Sequence, residues 1–313
     1  MRSFIVSVLG ALTGIAFAAL PAVHSKSKLP EITFIPRTSG TILTEAMHRG
    51  ANRAAREAGF HLYWNAPTRE DDVDRQIQLM SGALDNDTRG LILGPTNDLA
   101  VTSEVNQFIS HRIPVVVVQT HPPIPAGPYM TSVQPDQTQV SKLAAGRILA
   151  VIGENGEIAL VGLDRTAPET VERARDFTSE MSTHPGIAVV AQQNGTTFVP
   201  EAEQNAGEVL DKFPRVKAIF AVSATATEGA VLALERRGLD HRVTLVGCDD
   251  DLFLMYDLRD GKLDSLVISD GFQMGYLAAK SVLAAIEGRP LPPPRSIPAR
   301  LVTLETMNAQ TTQ

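Results

Sequence analysis

Residues 32–59, ITFIPRTSGTILTEAMHRGANRAAREAG, run from a short apolar strand through a polar turn into a long amphipathic helix. Such a break aims the helix's unpaired N–H groups and positive dipole end into the space above the strand's carboxyl end. Phosphate is the commonest occupant of that space, but it needs a glycine-rich turn to approach the backbone. This turn holds only Gly40 and no G-x-G-x-x-G. A different ligand is expected there.

The same alternation continues along the chain. EITFIP, FHLYWN, GLILGP, PVVVVQ, EIALVG, IAVVAQ, KAIFAV, VTLVGC and SLVIS read as strands, with amphipathic helices between them, for example over 73–84, 140–152, 169–181, 201–213 and 229–237. Strands this apolar are buried on both faces, which means parallel sheets covered by helices. Nine strands exceed one comfortable sheet, so the fold class expected is α/β with two doubly wound parallel lobes. HPPIPAGP (121–128) and RPLPPPRSIP (289–298) interrupt the alternation and read as stiff connections between the lobes.

Composition bounds the function. A chain of 313 residues with 43% hydrophobic content buries a large core, and a net charge of −7 disfavours a sequence-independent grip on nucleic acid. The single cysteine, Cys248, ends an apolar strand and reads as a core thiol. Met1-Arg2, an apolar run from Phe4 to Leu20 and the small-x-small Ala16-Phe17-Ala18 read as a signal peptide and leader over 1–25, hence export; an uncleaved anchor is the alternative. No cysteine follows the run to take a lipid, and no later segment is apolar enough to span a bilayer.

Enzymatic signatures are missing: no G-x-S-x-G, H-E-x-x-H, P-loop or C-x-x-C is present, and the seven histidines lack ligand spacing. No catalytic residue, metal site or cofactor is expected. The triplet Asp249-Asp250-Asp251 suits a hard cation, but at a strand-to-helix junction aspartates more commonly cap N–H groups.

With ITFIP, RGANRAAREAG, GLILGPTNDLA, IPVVVVQ, ERARDF, AIFAVSATATEGAVLALERRG, LVGCDDD and GKLDSLVISDGFQMG in this order and spacing, the chain resembles the ribose-type periplasmic binding proteins. FIPR and APTREDDVDRQIQLM are also similar to the rhamnose and autoinducer-2 receptors. The resemblance implies the type I periplasmic binding fold: two lobes joined by three crossovers that close on one ligand. It implies a first lobe of 26–133 with 270–298 and a second of 134–269 with 299–313.

Carried over residue by residue, the resemblance implies ligand contacts at Arg37, Thr41, Gln119, Thr120, Arg173, Phe198, Ser223, Asp249 and Ser269. Leu43 and Thr44 stand where ribose receptors have stacking aromatics, Asp176 replaces a family glycine, and Gln119-Thr120 replace an aspartate–arginine pair. Aspartate and arginine in a cleft suit vicinal diols, and two arginines would also suit a uronate or a phosphorylated sugar. Arg173 and Asp249 are expected to face water in an open form. Asp249 as a helix cap, Arg37 and Arg173 as solvated side chains, and Trp64 as cover for a lobe edge are the structural alternatives.

The function implied is an exported, periplasmic, monomeric receptor that binds a sugar, polyol or related small polar ligand by hinge closure and delivers it to an ABC permease, without enzymatic activity. One alternative is a sensory receptor of the same fold serving a kinase or chemoreceptor. A hydrolase or lyase using Asp249 and Arg173 is another. A DNA-binding repressor is disfavoured because the export signal occupies the place of an N-terminal helix-turn-helix.

Overall fold

The computed structural model describes residues 29–311, apart from 121, 122 and 250. The export signal read at the N-terminus lies outside the described residues. No helix among the described residues is long and apolar enough to cross a membrane.

The chain begins β1 (Glu31–Ile35), α1 (Ile42–Glu57), β2 (His61–Trp64), α2 (Val73–Asp85), β3 (Leu91–Leu93), α3 (Thr102–Ser110), β4 (Val115–Val118) and β5 (Met130–Pro135). It continues α4 (Gln137–Ile152), β6 (Gly156–Leu163), α5 (Pro168–Met181), β7 (Ile187–Asn194), α6 (Val199–Lys212), β8 (Val216–Ala221), α7 (Ala224–Arg237), β9 (Thr244–Cys248), α8 (Leu252–Arg259) and β10 (Ser265–Ser269). It ends α9 (Gly271–Ile286), β11 (Arg295–Ile297), β12 (Ala299–Thr303) and α10 (Leu304–Thr311).

Two six-stranded sheets result, ordered β11-β5-β4-β3-β1-β2 and β12-β10-β9-β8-β6-β7. Each runs parallel except where β12 pairs antiparallel with β10. The two lobes of doubly wound α/β type expected from the strand pattern are therefore present. All four valines of β4 are buried, as a strand covered on both faces requires. In the first lobe, α1 and α9 cover one face of the sheet and α2 and α3 the other, each with its own apolar cluster. In the second lobe, α6, α7 and α8 cover one face, and α4 and α5 the other.

The opening stretch folds as its pattern dictates. Thr41 caps α1, its side chain accepting from the Thr44 N–H while Thr44 reaches back to Thr41. Met47, Gly50, Ala51, Ala54 and Ala55 form the buried stripe. Small residues there let α9 come close: a Cβ on Gly50 would lie 2.0 Å from Phe272 O, and one on Gly275 2.0 Å from Met47 O.

Two connections differ from expectation. The described part of the first proline-rich segment, 123–128, does not cross between lobes; it leads into β5, which pairs in register with β4 of the first lobe. That strand escapes pattern reading because its buried residues include Thr131 and Ser132, and it carries the first sheet on to Pro135, past the expected boundary at 133. The second proline-rich segment supplies β11 to the first sheet before Pro298 leads into β12 of the second. The chain thus passes between lobes at Asp136, Asp270 and Pro298. Asp136 and Asp270 cap the helices that follow, with φ and ψ of −75° and 92° in one and −77° and 91° in the other.

Candidate ligand-binding site

The carboxyl ends of both sheets face one another across a cleft, the place where open α/β sheets bind ligands. The cleft encloses a cavity of about 140 Å³ lined by Arg37, Glu70 and Gln119 from the first lobe and Glu169, Arg173 and Asp249 from the second, with threonines and Ser223 around them. At about 10–15 Å³ per water-sized site, that is room for roughly ten heavy atoms, the scale of one monosaccharide.

Gln119 and Asp249 hold equivalent places, directly after β4 and β9, and both have positive φ, 72° and 67°. Side chains other than glycine adopt this left-handed region at a cost that the surroundings must repay. Here each backbone N–H is tied to the neighbouring strand, Gln119 to Val133 O at 3.3 Å and Asp249 to Val267 O at 2.9 Å.

Arg173 is the centre of the second lobe's wall and is buried. It donates from Nε to Gln137 Oε1 at 2.7 Å, from Nη1 to Val222 O at 2.8 Å and Asp249 Oδ2 at 2.9 Å, and from Nη2 to Asp249 Oδ1 at 3.1 Å. Burial is the largest influence and opposes its charge, but Asp249 together with Cys248 and Glu169 outweighs it and holds the guanidinium above its usual value. All these partners belong to the second lobe, so separating the lobes does not by itself break the network. Burial likewise pushes the neighbouring Cys248 thiol up to about 12, in keeping with a core thiol.

Across the cleft, Arg37 follows β1, donates from Nε to Pro95 O at 2.9 Å and places Nη1 2.9 Å from Glu169 Oε1. This ion pair joins the two lobes. Burial disfavours the Arg37 charge, but Glu169, Glu70 and Asp98 outweigh it and raise its pKa. Glu169 lies in the first turn of α5, where the dipole favours a carboxylate. Burial opposes its charge as well, yet Arg37 and its own backbone N–H hold its pKa below the ordinary value.

Of the nine residues singled out from the sequence, Arg37, Thr41, Gln119, Arg173, Ser223 and Asp249 line the cavity. Thr41 and Ser223 are also helix caps. Thr120, Phe198 and Ser269 do not line it. Thr120 turns into the first lobe and donates to Asp98 Oδ2 at 2.7 Å. Phe198 stands outside at 63% exposure, with Thr196 and Thr197 at the cavity instead. Ser269 is buried at the end of β10, opposite Ala299. The cap of α8 is Asp251, which accepts from the Phe253 N–H at 2.9 Å, so Asp249 is released to Arg173.

Sequence reading missed Glu70 and Glu169. Glu169 was detectable as an acidic residue next to the Pro168 that opens α5; Glu70 sits in an irregular loop with no periodic signal. No aromatic side chain lines the cavity among the described residues. Trp64 covers the lobe edge, stacked on His48 at 4.3 Å. Among the described residues no group of His, Cys, Asp and Glu is placed to hold a metal ion.

A family model described as "Periplasmic binding protein domain" matches residues 32–290. The D-ribose/D-allose-binding protein of Pseudomonas aeruginosa is 23% identical over 279 residues, covering 87% of this chain and 85% of that protein. The periplasmic component of an ABC-type sugar transport system from Hahella chejuensis superposes with a TM-score of 0.80 at 26% identity, covering 88% of this chain and 100% of that one. An ABC transporter solute-binding protein from Agrobacterium vitis, bound with α-D-tagatopyranose, superposes with a TM-score of 0.83 at 19% identity, covering 90% and 97%.

Proposed function

The chain belongs to the periplasmic binding protein family, and on that premise we propose that it is an exported solute receptor. It takes one sugar, polyol or related small polar molecule into the interlobe cleft, closes on it and hands it to an ABC permease. It binds and does not catalyse. The observation that carries this reading is a cavity lined by polar side chains and walled by the strand ends of both lobes, so a ligand gains its second set of contacts only when the cleft shuts. Arg37, Gln119, Arg173 and Asp249 hold the ligand, together with Glu70 and Glu169. Thr41 and Ser223 contribute hydroxyls at the helix starts. Asp136, Asp270 and Pro298 form the hinge. The relatives named for ribose and allose support a monosaccharide-sized ligand.

The test is a thermal-shift screen of the mature protein against pentoses, hexoses, deoxysugars and polyols. A ligand at about 100 times its dissociation constant adds roughly 2.7 kcal/mol of stability, which a melting curve resolves. Small-angle scattering on the stabilising ligand should show a smaller radius of gyration when it is bound. A protein that none of these compounds stabilises, and that carries none when purified, contradicts the reading.

A further inference from the structure

The cavity's charges do not balance. Five carboxylates line it, Glu70, Asp164, Glu169, Asp249 and Asp251, against the two guanidiniums of Arg37 and Arg173. Both guanidiniums already have carboxylate partners, Asp249 for Arg173 and Glu169 Oε1 for Arg37. Neither positive charge is without a carboxylate beside it, and a uronate or sugar phosphate would enter a site with surplus negative charge. The two arginines that suggested such ligands have their charges matched within the protein, and what they offer a ligand is N–H groups for its hydroxyls.

The surplus is localised. Asp164 accepts from the Thr166 N–H and Oγ1, and Asp251 caps α8. Glu169 Oε2, by contrast, is buried with no donor. Glu70 lines the cavity and forms no ion pair or hydrogen bond with another described residue. One of these carboxylates comes from each lobe, so a single group bonded to both would bridge the cleft.

We propose, resting on the receptor reading above, that the ligand carries a protonated amino group beside its hydroxyls, held between Glu70 of the first lobe and Glu169 Oε2 of the second. A hydroxyl can satisfy an acceptor's hydrogen bond but leaves its charge uncompensated in a closed cleft. An ammonium supplies both donors and the missing positive charge. Without it, Glu70 is forced toward its neutral form: burial raises its pKa, Arg37 opposes, and the charges of Asp249, Glu169 and Asp71 add to the rise. The ligand class is an aminated sugar or amino polyol.

The experiment is isothermal titration of the full mature protein at pH 7 with matched sets: glucose, glucosamine and glucuronate; galactose, galactosamine and galacturonate; sorbitol and its 1-amino-1-deoxy analogue. The expected result is that, in at least one set, the amino member binds about tenfold to a hundredfold tighter than its neutral counterpart, the scale of charge-assisted bonds shielded from water. Glu70→Gln should bring that ratio close to one, and Glu169→Gln should lower it independently, so the result does not hang on one variant folding. Neutral or acidic members that bind more tightly than every amino counterpart would overturn the amino-group inference and leave the receptor reading standing. A panel in which nothing binds overturns the amino-group inference, and the receptor reading falls with it only if the wider thermal-shift screen is empty as well.

Discussion

Gly275 and Ser141 occupy the same place in the two lobes, each fifth in the helix that the chain enters directly after a crossover. Gly275 lets α9 rest on the backbone of Met47, the sixth residue of α1. Ser141 instead donates to the carbonyl of Arg173, the sixth residue of α5, at 3.0 Å. The second residues of α1 and α5 are Leu43 and Glu169, and the residues after β4 and β9 are Gln119 and Asp249. One plan thus has two solutions: close backbone packing in the first lobe, and a buried ionic network in the second. In the second lobe the cavity wall and the interior are made of the same residues. The first lobe places Arg37 and Glu70 on loops that its apolar core does not require.

The sharpest way to break this comparison is Arg173→Met. Removing one member of a buried ion pair leaves the other uncompensated and typically costs about 3–5 kcal/mol. Here Val222 O and Gln137 Oε1 lose their donors as well. Denaturant unfolding of the ligand-free protein should show that loss. A loss below about 1 kcal/mol would mean the network serves the ligand alone, as the sequence had suggested.

Gly275→Ala probes the other solution. Its new Cβ would meet the backbone oxygen of Met47 at 2.0 Å, and no side-chain rotation can relieve that, so the helices must separate. Overpacking of this kind costs about 1–3 kcal/mol. Ser141→Ala at the matching position forfeits only a hydrogen bond and should cost about 1 kcal/mol. Equal losses at the two sites, read by unfolding, would show that the lobes do not differ in the way described.

The difference between the lobes also explains what was legible beforehand. The nine strands first read are apolar runs, and the structure contains each of them. β5, β11 and β12 carry threonine, serine, arginine or proline, and their burial depends on partners distant in sequence: Thr131, for instance, donates to Pro292 O. Arg173 and Asp249 could be singled out because a charge at a helix start or strand end is conspicuous. That they bind each other across 76 positions could not, since nothing local encodes it. Phe198 was misplaced because a loop sets its direction, and Glu70 was missed for the same reason.

Closure should depend on the pair that spans the lobes. In the open form Arg37 and Glu169 separate into water, so Glu169→Gln should hardly change the unfolding of the empty protein, while closure loses a charge-assisted contact. Affinity for a ligand found in the screen should fall about tenfold, or roughly 1.4 kcal/mol. Calorimetric titration beside denaturant unfolding separates the two effects. A stability loss with unchanged affinity would assign Glu169 to the second lobe's fold and not to closure.

The smallest effect expected lies in the second lobe's acidic side. Burial first, then the charges of Asp251 and Asp257, raise the pKa of Glu228 on α7 to about 7. A carboxyl with a raised folded-state pKa holds its proton more tightly in the fold than in the unfolded chain. It therefore favours the fold at low pH, and that contribution is lost as pH rises from the ordinary value near 4.5 through about 7. Above that window the ionised side chain is a net cost, which Glu228→Gln removes. Because Glu228 is only partly buried, solvent takes up much of the effect, and the gain at pH 7.5 should be about 0.5–1 kcal/mol. At pH 4.5 the gain should shrink to a few tenths of a kcal/mol, roughly RT ln 2, since Glu228 is then protonated in the fold and about half protonated in the unfolded chain. Unfolding curves for the pair at the two pH values decide the matter: a gain that persists unchanged at pH 4.5 would come from packing or helix propensity, and would remove Glu228 from the charges that set the second lobe apart.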